Sequence, residues 1–132
     1  MAEAMARTRV VVAHIAGTVR QILREGLESR GYDVVTTALG EEAMGLVGEG
    51  DVELLVVSLE LEDVDGWGVA AAVAERAPGT AVVALTADAR RATRERAEAA
   101  GFDAFFTLPI RPFELVDRLE AMGMAAGGGA GD

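Results

Sequence analysis

Cysteine is absent from the chain, which excludes disulfides and thiolate chemistry and fits a reducing compartment. No apolar run approaches the ~20 residues of a membrane-spanning helix. Met1-Ala2-Glu3-Ala4-Met5 has no basic segment leading into an apolar one, so it is not a secretory signal. Positive charge is scarce: Lys and Arg total 12 against 22 acids, a formal net charge of −10. Such a balance repels phosphate backbones and argues against direct nucleic-acid binding. These absences together predict a cytoplasmic protein with no membrane partner. The 132 residues suit one domain. A domain of that size buries roughly two-thirds of its unfolded surface and needs no covalent staple.

What is present is a regular alternation of short apolar runs and amphipathic stretches. Val10-Val11-Val12-Ala13, Leu54-Leu55-Val56-Val57 and Ala81-Val82-Val83-Ala84-Leu85 are continuous apolar runs, as in strands covered on both faces of a parallel sheet. Val34-Val35-Thr36 and Ala104-Phe105-Phe106-Thr107 complete a set of five. Thr18 and Gln21 form a capping-box pattern before a helix with Val19, Ile22, Leu23 and Leu27 at helical spacing, stopped by Gly31. A weaker helix over 41–48 is loosened by Gly45 and Gly48. A third covers 67–76 and ends at Pro78-Gly79. A fourth runs from 89 to 100, with Asp88 as cap and Gly101 as stop. The last begins at Pro112 and runs to about Met122. Residues 1–8 read as a flexible leader, 9–122 as the domain, and 123–132 as a Gly-rich flexible tail or linker. The alternation implies an α/β fold with a mostly parallel sheet and right-handed crossovers. Ligands of such sheets bind beyond the carboxyl ends of the strands. The positions of interest are therefore His14 to Thr18, Ser58 to Glu62, Thr86 and Ala87, and Leu108 and Pro109.

Several short motifs occur in a telling order: Ile22-Leu23-Arg24-Glu25-Gly26-Leu27, Gly31-Tyr32, Gly40-Glu41-Glu42-Ala43, Asp63-Val64-Asp65-Gly66-Trp67, Leu85-Thr86-Ala87 and Ala100-Gly101-Phe102-Asp103. With Pro109 before the last helix, they make residues 8–122 resemble the receiver domain of bacterial two-component response regulators. The resemblance implies a flavodoxin-like, doubly wound (βα)5 three-layer sandwich with parallel strand order 2-1-3-4-5. It also implies a site in which an acidic pair and an acceptor aspartate hold magnesium. The aspartate takes a phosphoryl group that a lysine and a hydroxyl steady, because a hard cation wants oxygen ligands and gathering negative charge needs cations.

Registered residue by residue on that family, the acidic pair falls on His14 and Ile15, the acceptor on Ser58 and the lysine on Leu108. Thr86 matches the hydroxyl position, Phe105 the switch aromatic, and Pro109 the proline whose preceding peptide bond is cis in receivers. The resemblance therefore implies a pseudo-receiver with a degenerate phosphorylation pocket, neither enzyme nor metal or cofactor binder. His14 reads as a polar plug, Ser58 as a small strand-ending hydroxyl and Leu108 as packing filler. Glu60 and Glu62 read as a solvated edge, since receivers turn the side chain two after the acceptor away. The family's partner and dimer face lies on the fourth helix, fifth strand and fifth helix. Here it would present Arg90, Arg91, Arg94, Asp103, Asp117 and Arg118 to a signalling protein or to a second copy. Arg91/Glu95 and Arg94/Glu98 have i,i+4 spacing, and Trp67 is a candidate anchor if exposed. Three alternatives stay open. One is a receiver with a remodelled, ligand-responsive site. Another is a cobalamin-binding-like domain, for which His14-Ile15-Ala16-Gly17 and Ser58 speak, while Val12 and the lack of a Gly-Gly after the fourth strand speak against it. The third is a flavin domain, for which Gly17-Thr18 is a thin phosphate loop.

Overall fold

The computed structural model describes residues 8–123, so most of the expected leader and tail lies outside the described residues. Ten elements alternate: β1 (Arg9–Ala13), α1 (Gly17–Ser29), β2 (Asp33–Thr37), α2 (Gly40–Gly48), β3 (Leu54–Ser58), α3 (Gly66–Arg76), β4 (Ala81–Thr86), α4 (Arg91–Ala99), β5 (Ala104–Thr107) and α5 (Pro112–Ala121). The strands form one parallel sheet in the order β2-β1-β3-β4-β5. Among the described residues, no helix is long and apolar enough to cross a membrane.

The apolar runs explain the layers. Alternate strand side chains point to opposite faces. Val11, Ala13, Leu55, Val57, Ala84 and Phe105 pack with Ala43, Val69, Val73 and Ala97 of α2, α3 and α4. Val10, Val12, Leu54, Val56, Leu85 and Phe106 pack with Leu23, Leu27, Leu115 and Leu119 of α1 and α5. Val10, Val11 and Val12 are fully buried, each stabilising the fold by about 1.5–3 kcal/mol as an upper bound.

Two helices end in the same way. Gly31 and Gly101 adopt φ of +92°, where only glycine sits without strain. Their N–H groups donate to Glu28 and Glu98, and the next N–H groups, of Tyr32 and Phe102, reach back to Leu27 and Ala97. This is the Schellman arrangement. The helix starts differ from the sequence reading. Ala16 caps α1 without a side-chain bond, and Gln21 binds Glu25, so Thr18 and Gln21 form no capping box. Likewise α4 starts after Arg90, because the Asp88 carboxylate is taken up by Arg90 and Thr93. Asp63 reaches across from the β3–α3 loop to the N–H groups of Gly40 and Glu41 at the start of α2. Those donors hold its pKa at about 2.

Candidate functional site

The carboxyl ends of β1, β3, β4 and β5 deliver His14, Ser58, Thr86 and Leu108 to one edge of the sheet. His14 directly follows β1 and is buried. Its backbone N–H donates to Thr37 at 3.0 Å, and its Nδ1 accepts from the N–H of Ala16 at 3.0 Å. An accepting Nδ1 leaves the hydrogen of the neutral ring on Nε2. Burial lowers the pKa of His14, Glu60 opposes that shift, and Arg20 adds to it. Ile15, next in the chain, is 46% exposed. The Arg20 guanidinium folds back from the first turn of α1, its Nη1 donating to the carbonyls of His14 at 2.7 Å and Ile15 at 3.1 Å.

Ser58 closes β3 and is 2% exposed. Its hydroxyl donates to the Glu60 carbonyl at 3.2 Å and accepts from the Glu60 N–H at 3.1 Å. The loop can pack this closely because Gly66 carries no Cβ, which would lie 2.4 Å from the Ser58 carbonyl. Glu60 keeps the exposed position that the sequence reading gave it, yet its carboxylate is engaged. Its Oε2 accepts from the fully buried hydroxyl of Thr86 at 2.7 Å. Thr86 Oγ1 in turn accepts from the N–H of Asp88 at 3.1 Å. Arg90 and Thr93 donate to the Asp88 carboxylate, and their bonds hold its pKa far below the usual carboxylate range. Beside this chain of bonds opens a groove of about 270 Å³ lined by Leu59, Glu60, Trp67, Asp88, Arg90 and Arg96, among others. Leu108 packs against the α1–α5 side of the core, its N–H donating to Thr86 at 2.8 Å. The Leu108–Pro109 peptide bond is cis, as the resemblance implied.

Residues 10–120 match the family described as Response regulator receiver domain. The chain belongs to that family. An uncharacterised 14.6 kDa protein of Leptolyngbya boryana is 30% identical over 116 residues, covering 86% of this chain and 88% of its own. The transcriptional regulatory protein ResD of Bacillus subtilis is 29% identical over 115 residues, 87% of this chain but 48% of ResD. The receiver thus spans about half the length of several curated relatives it matches. Among solved structures, a CheY-like receiver from Methanospirillum hungatei superposes with TM-score 0.82 at 20% identity, covering 93% and 99% of the two chains. A response regulator from Chloroflexus aurantiacus gives 0.81 at 24%, covering 88% and 97%.

The side chains expected on α4, β5 and α5 have differing surroundings in this receiver. Arg94 lies over the ring of the buried Phe105, its guanidinium carbon 4.9 Å from the centroid, rather than pairing with Glu98. Arg118 lies over Phe106 at 4.8 Å, so two guanidinium groups flank the edge strand from opposite sides of the sheet. Arg91 pairs with Glu95 at 3.5 Å and remains well exposed. Asp117 points instead to α1, where it meets Arg30 at 2.8 Å. Asp103 is spent on the N–H of Val82 at 2.8 Å. Trp67 is half-buried between the Arg96 guanidinium at 4.0 Å and the edge of Phe102 at 5.6 Å. Sequence reasoning missed Arg20 and the bond that Thr86 donates to Glu60. A signal existed for Arg20 alone: helical side chains lean toward the helix N-terminus, which aims a first-turn arginine at the end of β1.

Proposed function

We propose that this receiver is a phosphorylation-independent interaction module of a two-component-type signalling pathway, not an enzyme. It would meet a signalling protein or a second copy through α4, β5 and α5. The observation that carries the reading is the use made of Ser58. Where receivers place the acceptor aspartate, this chain has a buried hydroxyl committed in both directions to the backbone of Glu60. The surrounding residues do not fit magnesium. An exposed isoleucine and a buried neutral histidine stand where the acidic pair belongs, and a hard cation wants oxygen. Among the described residues no cluster of His, Cys, Asp and Glu could hold a metal. Leu108 replaces the ammonium, and none of the chain's cations is a lysine. Incubation with magnesium and acetyl phosphate, followed by intact mass and amide chemical shifts, tests the reading. The expected result is unchanged mass and unchanged shifts around Ser58. A gain of one phosphoryl group, or a saturable magnesium shift there, would refute it.

A further inference from the structure

We infer that Glu60 is a positioning residue for the candidate interaction face, acting through Thr86 and Asp88 on the first turn of α4. The inference rests on the reading of that face as the output surface. Its basis is a continuous run of hydrogen bonds. The Glu60 carboxylate accepts from the buried Thr86 hydroxyl at 2.7 Å, and that same oxygen accepts from the N–H of Asp88 at 3.1 Å. The Asp88 carboxylate then takes the backbone N–H and side chain of Arg90 and the hydroxyl of Thr93. Arg90 is the residue that caps α4, and its carbonyl accepts from the N–H groups of Thr93 and Arg94. Arg94 covers Phe105 on the edge strand.

A hydroxyl has one hydrogen to give. With Thr86 donating to Glu60, its lone pairs remain directed at Asp88, and the β4–α4 loop is held in one arrangement. Without Glu60, the buried hydroxyl must find another acceptor, and its hydrogen competes for the space the Asp88 N–H occupies. Glu60 is itself exposed, so it holds the loop from the solvent side. A carboxylate supplied by the chain thereby does permanently what a group arriving from outside would do transiently. The candidate face is then fixed by this chain's own sequence.

Amide hydrogen exchange and chemical shifts of the full chain, without magnesium or phosphodonor, test the inference. In Glu60→Ala the amides of Asp88, Thr93 and Arg94 should exchange about tenfold faster or more, as expected on losing a hydrogen bond to a charged group. The Phe105 amide should shift with them. Glu60→Gln, which keeps an acceptor at the same reach, should lose less. In a Thr86→Val background, or Thr86→Ala if that variant does not fold, replacing Glu60 should add little. Changes confined to residues 58–62, equal losses in the Gln and Ala variants, or an undiminished Glu60 effect without the Thr86 hydroxyl would each overturn the inference. Because no phosphodonor is present, uptake of a phosphoryl group in the earlier experiment would remove the phosphorylation-independent reading and leave this coupling to its own readout.

Discussion

His14 holds an acceptor nitrogen against the N–H of Ala16, at the N-terminus of α1. Protonation would place a second donor there and a cation at the positive end of a helix dipole. Burial is the main cause lowering its pKa, with Glu60 opposing and Arg20 assisting. The unfolded chain therefore binds this proton more readily than the folded one. The stabilising contribution is complete above the ordinary value of 6.5 and is lost as pH falls from there through the folded-state pKa. His14→Asn, whose Oδ1 can accept from Ala16, should flatten the slope of unfolding free energy between about pH 7 and pH 5 in urea titrations; identical slopes would show that other groups set it. Ser58 makes a second case. Ser58→Asp puts a carboxylate in a 2% exposed position beside the Glu60 carbonyl. It should cost about 1–3 kcal/mol of stability without creating a phosphorylatable site. Labelling of the single variant by acetyl phosphate, or an unchanged denaturation midpoint, would contradict this.

Helix packing puts two glycines under opposite rules. Gly26 lies where α1 meets the start of α5, and a Cβ there would be 2.5 Å from the Cβ of Pro112. Gly45 lies on the exposed side of α2 with nothing within 4 Å of an added Cβ. Intrinsic propensity favours alanine at both by about 1 kcal/mol. At Gly26 the α1–α5 contact must open, a cost of about 1–3 kcal/mol that outweighs it. Gly45→Ala should therefore raise the melting temperature and Gly26→Ala lower it; a gain at both would show that α5 can move aside freely. The helix starts teach a related lesson. A capping pattern such as Thr18 and Gln21 states what a local sequence can do. Which residue caps is decided by the loop that leads in, and here that loop makes Ala16 the cap and starts the helix at Gly17, so Thr18 already lies within its first turn.

Across the whole molecule the charge of −10 is spread over a small domain. Like charges repel one another in the compact state more than in the expanded one. Raising ionic strength from about 0.01 M to 0.15 M shortens the screening length from about 30 Å to 8 Å. The melting temperature should rise over that range; a fall would show that pairs such as Arg30 with Asp117 and Glu120 outweigh the net repulsion. The same acidity makes the exposed arginines of α4 a local contrast in charge. Arg91, at 89% side-chain exposure and paired with Glu95 at 3.5 Å, carries positive charge on α4. That suits the proposed role of α4, β5 and α5 in meeting a protein partner.

The strands of the sheet were legible in the chain because their causes are local or nearly so, whereas their order came from the resemblance to receivers. Continuous Val-rich runs demand cover on both faces, and Gly31 and Gly101 end helices by backbone freedom alone. The strand ends were legible in the same way, since the alternation placed His14, Ser58, Thr86 and Leu108 at one edge. How those side chains spend their hydrogen bonds was not legible. Thr86 and Glu60 are 26 residues apart, and their bond exists because β3 and β4 lie side by side and Gly66 lets the β3–α3 loop close over Ser58. Arg30 and Asp117 are separated by 87 residues and meet because α1 and α5 share a face of the sheet. Sequence pattern set the scaffold; polar partnership between distant residues was decided only by the packed chain, because each buried donor must take the acceptor the fold brings within reach.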